Sequence, residues 1–170
     1  TLWFYVPYSN PAIAAKLSIE DEANPTINYE MPVTLPAKAG ILAVQLPADA
    51  PKLEVGKRYR WFFNVDCKSA TANAGQNETI FVEGVIFRDR LDSTATAELT
   101  PTPSIQNVAI YAKNGFWYDA LTTLAALRKQ QPQTPELQTA WEELLSGMVL
   151  SAKSKQTFKV DELVTQPFAN

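Results

Sequence analysis

From Tyr59 onward the chain alternates in apolarity. Tyr59, Trp61, Phe63 and Val65 face one way, and Arg58, Arg60, Asn64 and Asp66 face the other. That is period two, the pattern of a strand with one buried face. Leu53, Gly56 and Tyr59 precede and open it at the spacing of a tyrosine corner. In that motif a Tyr at the start of a strand bonds its hydroxyl to backbone a few residues upstream, across a turn that Gly56 allows to bend. Phe62 interrupts the alternation by falling on the Arg face. The stretch Thr79 to Arg88 interrupts it more plainly, with Ile80, Val82 and Ile86 on one face and Phe81, Val85 and Phe87 on the other. A sheet apolar on both faces calls for cover on both.

Four further strands are predicted before this pair. Leu2 to Tyr8 is apolar on both faces and closed by Pro7 and Pro11. Ala15 to Glu20 sets Leu17 and Ile19 inward and runs into the acidic turn Glu20-Asp21-Glu22-Ala23-Asn24-Pro25. Ile27 to Leu35 carries Pro32 and so belongs at an edge. Ile41 to Leu46 puts Leu42, Val44 and Leu46 on one face. Six strands with turn signals at this spacing indicate an all-β sandwich for the first half.

After Asp92 the periodicity changes. Ser93 to Thr100 is ambiguous and is punctuated by Pro101 and Pro103. Ile105, Val108, Ala109 and Ala112 then recur at helical spacing up to Asn114-Gly115. Trp117, Ala120, Leu121, Leu124 and Arg128 mark a second helix that ends before Pro132. Thr134 as N-cap and Pro135 in the first turn open a third, whose stripe is Leu137, Ala140, Trp141, Leu144 and Leu145. Gly147 is read as its end. The tail from Ser151 reads equally as an ordered strap or a frayed end.

At 170 residues, with a 46% hydrophobic content, the chain can bury a sizeable core as one domain with a subdomain. A net charge of −3 without any Lys/Arg run argues against a nucleic-acid groove. Nothing approaches the apolar length of a membrane span. The chain has no His, which removes the usual general base of Ser and Cys nucleophiles and the commonest transition-metal ligand. Its single cysteine, Cys67, forbids an internal disulfide and a thiolate metal cluster. The chain opens at Thr1 without Met, which a removed secretory leader or a trimmed chain would each explain.

Without His, paired carboxylates are the remaining acid/base chemistry. Asp66, Glu83, Glu142 and Glu143 are the candidates. Against that role, Glu83 is placed to meet Arg58 or Arg60 as an ordinary cross-strand ion pair, and Glu142 and Glu143 fit a solvated helix face. Glu20, Asp21, Glu22 and Asn24 resemble a calcium loop in composition, but lack the ligand spacing of an EF-hand. Asn77-Glu78-Thr79 is a glycosylation sequon, a motif common by chance. Asp119 sits in a first helical turn, where capping outranks chemistry. No catalytic residue, metal or cofactor is expected. Trp3, Tyr5 and Tyr8 on the first strand are the candidate partner or ligand surface, set against core packing for Trp3 and Tyr5.

Two resemblances complete the reading. Tyr111, Gly115, Trp117, Ala120, Leu124, Leu127 and Pro132 are spaced as in the second half of a tetratricopeptide repeat, although Ser104, Asn107 and Val108 depart from its first half. One repeat cannot bury its own face, so it would have to dock on something else, and the doubly apolar sheet is the natural place. Four runs carry the other likeness: Trp3-Phe4-Tyr5-Val6-Pro7-Tyr8, Pro51 to Trp61, Phe81 to Arg88, and Tyr111 to Leu121. On these the chain, from about Leu2 to Leu150, resembles the cyanobacterial family known as domain of unknown function 928. The resemblance implies a frequent secretory leader and supplies no activity to carry over.

The expected fold class is therefore α+β. An immunoglobulin-like antiparallel β-sandwich over residues 1–92 is followed by a three-helix, tetratricopeptide-like subdomain over 93–150, packed on one sheet, and by a tail over 151–170. The expected role is a non-enzymatic protein-binding or assembly module of the cell envelope, periplasmic or extracellular. Its partner would be another envelope protein or a second copy. The alternative is a carbohydrate-binding module using the first-strand aromatics.

Overall fold

The computed structural model describes residues 1–7, 13–68 and 77–151, with the side chains of 27–28, 67–68, 77–79 and 148–151 left aside. The chain is α+β with antiparallel sheet structure. Its strands are β1 (Leu2–Val6), β2 (Ala14–Asp21), β3 (Asn24–Thr34), β4 (Gly40–Val44), β5 (Lys57–Lys68) and β6 (Asn77–Arg88). Its described helices are α1 (Ser93–Glu98), α2 (Ile105–Lys113), α3 (Trp117–Gln130) and α4 (Pro135–Ser151). Two compact units emerge among the described residues, one within Val6–Arg90 and one joining Thr1–Tyr5 to residues 91–151.

In the sheet unit four strands lie in the order β3-β2-β5-β6, all antiparallel. Tyr59, Phe63 and Val65 of β5 are buried, as are Ala15, Leu17 and Ile19 of β2 on the same face. The register pairs Leu17 with Phe63 and Ile19 with Trp61, so aliphatic and aromatic side chains interleave across the two central strands. Leu35, Ile41 and Val44 add to this unit's buried set. On β4 the residue shielded beside Val44 is thus Ile41, whereas Leu42 is only half-buried and Leu46 lies past the strand's end. Pro32 lies on β3, which is an edge, as its missing donor requires.

The corner before β5 is held by three bonds. The Glu54 backbone N–H donates to the Tyr59 hydroxyl at 2.8 Å. The Gly56 N–H donates to the Arg88 carbonyl at 2.7 Å, which ties the corner to the far end of β6. Lys57 N–H closes the turn onto the Glu54 carbonyl at 3.3 Å. Gly56 has φ +84°, a left-handed conformation that a side chain would strain. Farther along, Gly84 of β6 stands opposite Trp61, and the indole lies flat enough over it that a Cβ there would meet Trp61 Cζ2 at 2.5 Å.

The helical unit departs from expectation in three places. Among the described residues it has four helices, because Asp92 caps a short extra one: its carboxylate accepts from the Ala95 N–H at 2.8 Å. On α2 the buried residues are Asn107, Val108 and Ile110, while Ile105 and Ala109 are exposed. Asn107 sets that face. Its amide oxygen accepts from the Thr100 N–H at 2.9 Å, and its amide nitrogen donates to the carbonyls of Thr100 and Thr102. A buried amide with its bonds made costs little, and here it pins the proline-containing loop to the helix. The third departure is Gly147, which does not end α4 but lies within it. A Cβ at Gly147 would stand 3.2 Å from the Trp117 ring, so the glycine serves close approach of α3 rather than termination.

The buried faces of α3 (Ala120, Leu121, Leu124, Leu127) and α4 (Leu137, Trp141, Leu144, Leu145) follow the apolar stripes of the sequence. Trp141 is fully buried. The Trp3 ring meets it edge-on with centroids 6.2 Å apart, and the Arg128 guanidinium lies 4.8 Å from its centroid.

Two substitutions test these contacts. Tyr59→Phe leaves the Glu54 N–H without its partner and should destabilise the protein by about 1–3 kcal/mol in urea denaturation. Gly84→Ala forces the Trp61 indole off the strand and should cost about 1–3 kcal/mol by overpacking, despite glycine's poor strand propensity.

Candidate functional site

The first-strand aromatics do not form one open surface. Trp3 is half-buried, with its edge on Trp141 and its indole N–H donating to the Thr122 hydroxyl at 3.2 Å. Tyr5 is also half-buried, and Tyr8 lies outside the described residues. Cys67, the sequon Asn77-Glu78-Thr79 and the tail beyond Ser151 likewise fall where side chains, or the whole segment, lie outside them.

Asp21, Glu22, Glu54 and Glu83 are engaged by cations. Asp21 and Asn24 flank a two-residue turn, and Asp21 Oδ1 accepts from the Ala23 N–H at 2.9 Å. Lys57 bridges Asp21 at 3.3 Å and Glu54 at 2.8 Å. Glu22 binds both Arg58 and Arg60, the latter at 3.3 Å, and Arg60 reaches on to Glu83 at 3.4 Å. Glu83 is thus the cross-strand partner the sequence suggests, on the diagonal from Arg60. On α4, Glu142 accepts from Gln138 Nε2 at 2.7 Å, and Gln138 in turn accepts from Arg128. Among the described residues no group of three or more Cys, Asp and Glu side chains converges as metal ligands would. A cleft of 360 Å³ beside the corner is lined by Ile19, Asp21, Tyr29, Leu46, Lys57 and Tyr59, and its charged walls neutralise one another.

The open feature of the sheet unit is β6. Phe81 is 59% exposed, Phe87 54%, Val82 52%, Ile80 40% and Val85 38%. The expectation that water does not see Phe81, Val85 and Phe87 is therefore overturned, and only Phe62 is half-buried. The reason is the strand's place. Among the described residues β6 terminates the sheet and has a neighbour on one side alone, so even Ile80 and Val82, on the face of Tyr59 and Phe63, stay open. Sequence reasoning missed this strand as a surface because an apolar run looks the same at a centre and at an edge. A usable signal was the absence of Pro and Lys, the residues that usually blunt an edge.

A family model described as Domain of Unknown Function (DUF928) matches residues 1–158. The chain belongs to this family. All four sequence runs that carry the resemblance fall inside the matched region of this DUF928 chain, among them Phe81 to Arg88 with its open side chains. Comparison with curated proteins and with solved structures finds no match. No described helix is long and apolar enough to cross a membrane.

The charge ladder gives a signed pH dependence. The Arg58 hydrogen bond, helped by the charges of Arg58 and Arg60, holds Glu22 below the usual carboxylate value against a smaller desolvation. The Ala23 N–H, with Lys57, does the same for Asp21. Glu54, then Asp21, raise Lys57 above its ordinary value. A lowered carboxylate stabilises the fold above its unfolded pKa and loses that contribution as pH falls through the folded one. A raised lysine stabilises below its unfolded pKa and loses the contribution as pH rises through the folded one. Wild type should thus be more stable than Glu22→Gln at pH 7, and the gap should close below about pH 4, the carboxylate range. Paired melts at both pH values check this, and a gap that widened in acid would contradict it.

Proposed function

We propose that this DUF928 chain is a non-enzymatic protein-binding or assembly module of a cyanobacterial cell envelope, periplasmic or extracellular. In this reading an immunoglobulin-like sandwich carries a tetratricopeptide-like helical segment, and the partner is a polypeptide docking on the sheet edge. One observation carries the reading: five large apolar side chains stand open on a single unblunted edge strand. Exposed apolar side chains along an edge favour docking, and the edge adds backbone donors and acceptors that an extended partner segment satisfies. The tyrosine corner favours the immunoglobulin-like part of the description.

The acid/base groups are better accounted for as structure. Glu22, Glu54, Asp21 and Glu83 each have a cationic partner within the sheet unit. The carbohydrate-binding alternative asks for a free aromatic platform on the first strand, and Trp3 is committed to Trp141 and Thr122.

The test compares capture from native envelope extract by wild type and by the double variant Phe81→Ser/Phe87→Ser, beside a glycan array. A protein retained by wild type and lost with the variant, on a blank array, is the expected result. Capture indifferent to these residues would remove the edge from the reading. Array binding abolished by Tyr5→Ala would install the carbohydrate alternative.

A further inference from the structure

The residues of the open edge read nearly the same in both directions about Gly84: Phe81-Val82-Glu83-Gly84-Val85-Ile86-Phe87. We infer that the partner of this edge is a second copy of the chain, pairing β6 with β6 antiparallel about a two-fold axis at Gly84. The inference rests on the reading of β6 as a protein-docking strand and adds the identity and register of what docks.

A two-fold axis perpendicular to a sheet keeps each residue on its own face, so a strand can pair with its copy only in registers centred on a residue. Three such registers lie near the middle of the open stretch. Centring on Glu83 sets the two Glu83 carboxylates face to face. Centring on Val85 sets Glu83 against Phe87 and Val82 against Arg88. Centring on Gly84 sets Phe81 against Phe87 and Val82 against Ile86, each twice, gives Glu83 the neutral Val85, and leaves Ile80 against Arg88 only at the ends of the paired stretch. Only this last register makes aromatic pairs and aliphatic pairs on opposite faces without opposing like charges.

The neighbouring strands agree with it. β5 places Arg60 opposite Val85 and Arg58 opposite Phe87. In the Gly84 register Arg60 shares a row with Glu83 of the second copy, two strand spacings away, roughly 10 Å between backbones. Each Glu83 then lies between its own Arg60, which it already bonds at 3.4 Å, and that of the other copy. On the core face the two Gly84 residues meet at the axis, and a Trp61 indole lies over each. The product is a continuous eight-stranded sheet, β3-β2-β5-β6 followed by its inverse, with no β6 edge remaining.

The register makes an unusual demand on Val85, which faces Glu83 of the second copy. Val85→Glu should break the dimer by setting like charges opposite twice, although within one copy it gains Arg60 as a neighbour. Val85→Lys should keep the dimer by facing Glu83, although within one copy it crowds Arg60. Sedimentation velocity of the full chain, with far-UV circular dichroism and melting to confirm folding, reads the difference. Wild type should dimerise reversibly with reductant present. Val85→Glu should raise the dissociation constant by about tenfold or more, Val85→Lys should leave it near wild type, and Val85→Glu/Glu83→Lys should recover it. Should Val85→Glu fail to fold, Val85→Lys and Val85→Lys/Glu83→Lys decide: the register predicts that the first keeps the dimer and that the second, which sets lysine against lysine twice, loses about tenfold or more, and equal affinity of the two would overturn it. A wild type monomeric at every concentration would overturn the self-pairing, while envelope capture dependent on Phe81 and Phe87 would still stand. Equal loss with Val85→Glu and Val85→Lys, or loss with neither, would overturn the register.

Discussion

The sheet unit depends on the alignment of β5 with β6. A slip of one residue would carry Tyr59, Phe63 and Val65 from the buried face to the other and bring Arg58, Arg60 and Asn64 in. Hydrophobicity alone guards weakly against that slip on the β6 side, because β6 is apolar on both faces. Three local devices supply what the pattern lacks. The Gly56 N–H bonded to the Arg88 carbonyl fixes one end, and the Trp61 indole over Gly84 fixes the middle. The Tyr59 hydroxyl fixes the chain entering β5. Of these the Trp61–Gly84 contact is the most selective for register, because β6 has one glycine and a Cβ at any other position would meet the indole.

The helical unit uses a polar anchor for the same purpose. Helix α2 carries apolar residues on more than one side, Ile105, Val108, Ala109, Ile110 and Ala112, so apolar spacing alone leaves its buried face undecided. Asn107 breaks the tie, because its amide can be satisfied only with the Thr100 to Thr102 backbone beside it. Turning Asn107 inward brings Val108 and Ile110 with it and leaves Ile105 outside. On α3 and α4 the stripes are built from Leu and Trp, each worth about 1.5–3 kcal/mol on burial, and there apolar spacing suffices without such an anchor.

That contrast explains how much could be read from the sequence. Elements defined by large side chains or by proline were legible: the alternation of β5, the edge position of β3 from Pro32, the faces of α3 and α4, and the tyrosine corner from Gly56 and Tyr59. What could not be read depended on a neighbour distant in the chain. Gly147 looks like a terminator until Trp117 is placed against it, thirty positions earlier. Trp3 looks like a surface aromatic until Trp141 and Thr122 are beside it. The short helix α1 was signalled by Asp92 as a cap, but six residues are too few for periodicity to speak. The candidate site was the least legible part, since strand order, which makes β6 an edge, is a property of the assembled sheet.

An apolar edge left open is a hazard that proteins ordinarily remove with lysine, proline or a bulge. Here the devices are placed asymmetrically. The opposite edge, β3, carries Pro25 and Pro32, and the β2–β3 pairing is irregular near its turn. Strand β6 has neither device over Phe81 to Phe87, and its one charge, Glu83, is held by Arg60 on the neighbouring strand. Selection against edge pairing acts on a whole chain, so a blunted edge and an unblunted one in the same four-stranded sheet point to different uses. Blunting one side alone makes association finite: two copies can join through β6 and then stop, because β3 offers no continuous row of donors to a third. A chain protected at both edges would stay single, and one protected at neither would grow without limit. With the β6 pairing proposed above, prolines on β3 and aromatics on β6 would close the association at two.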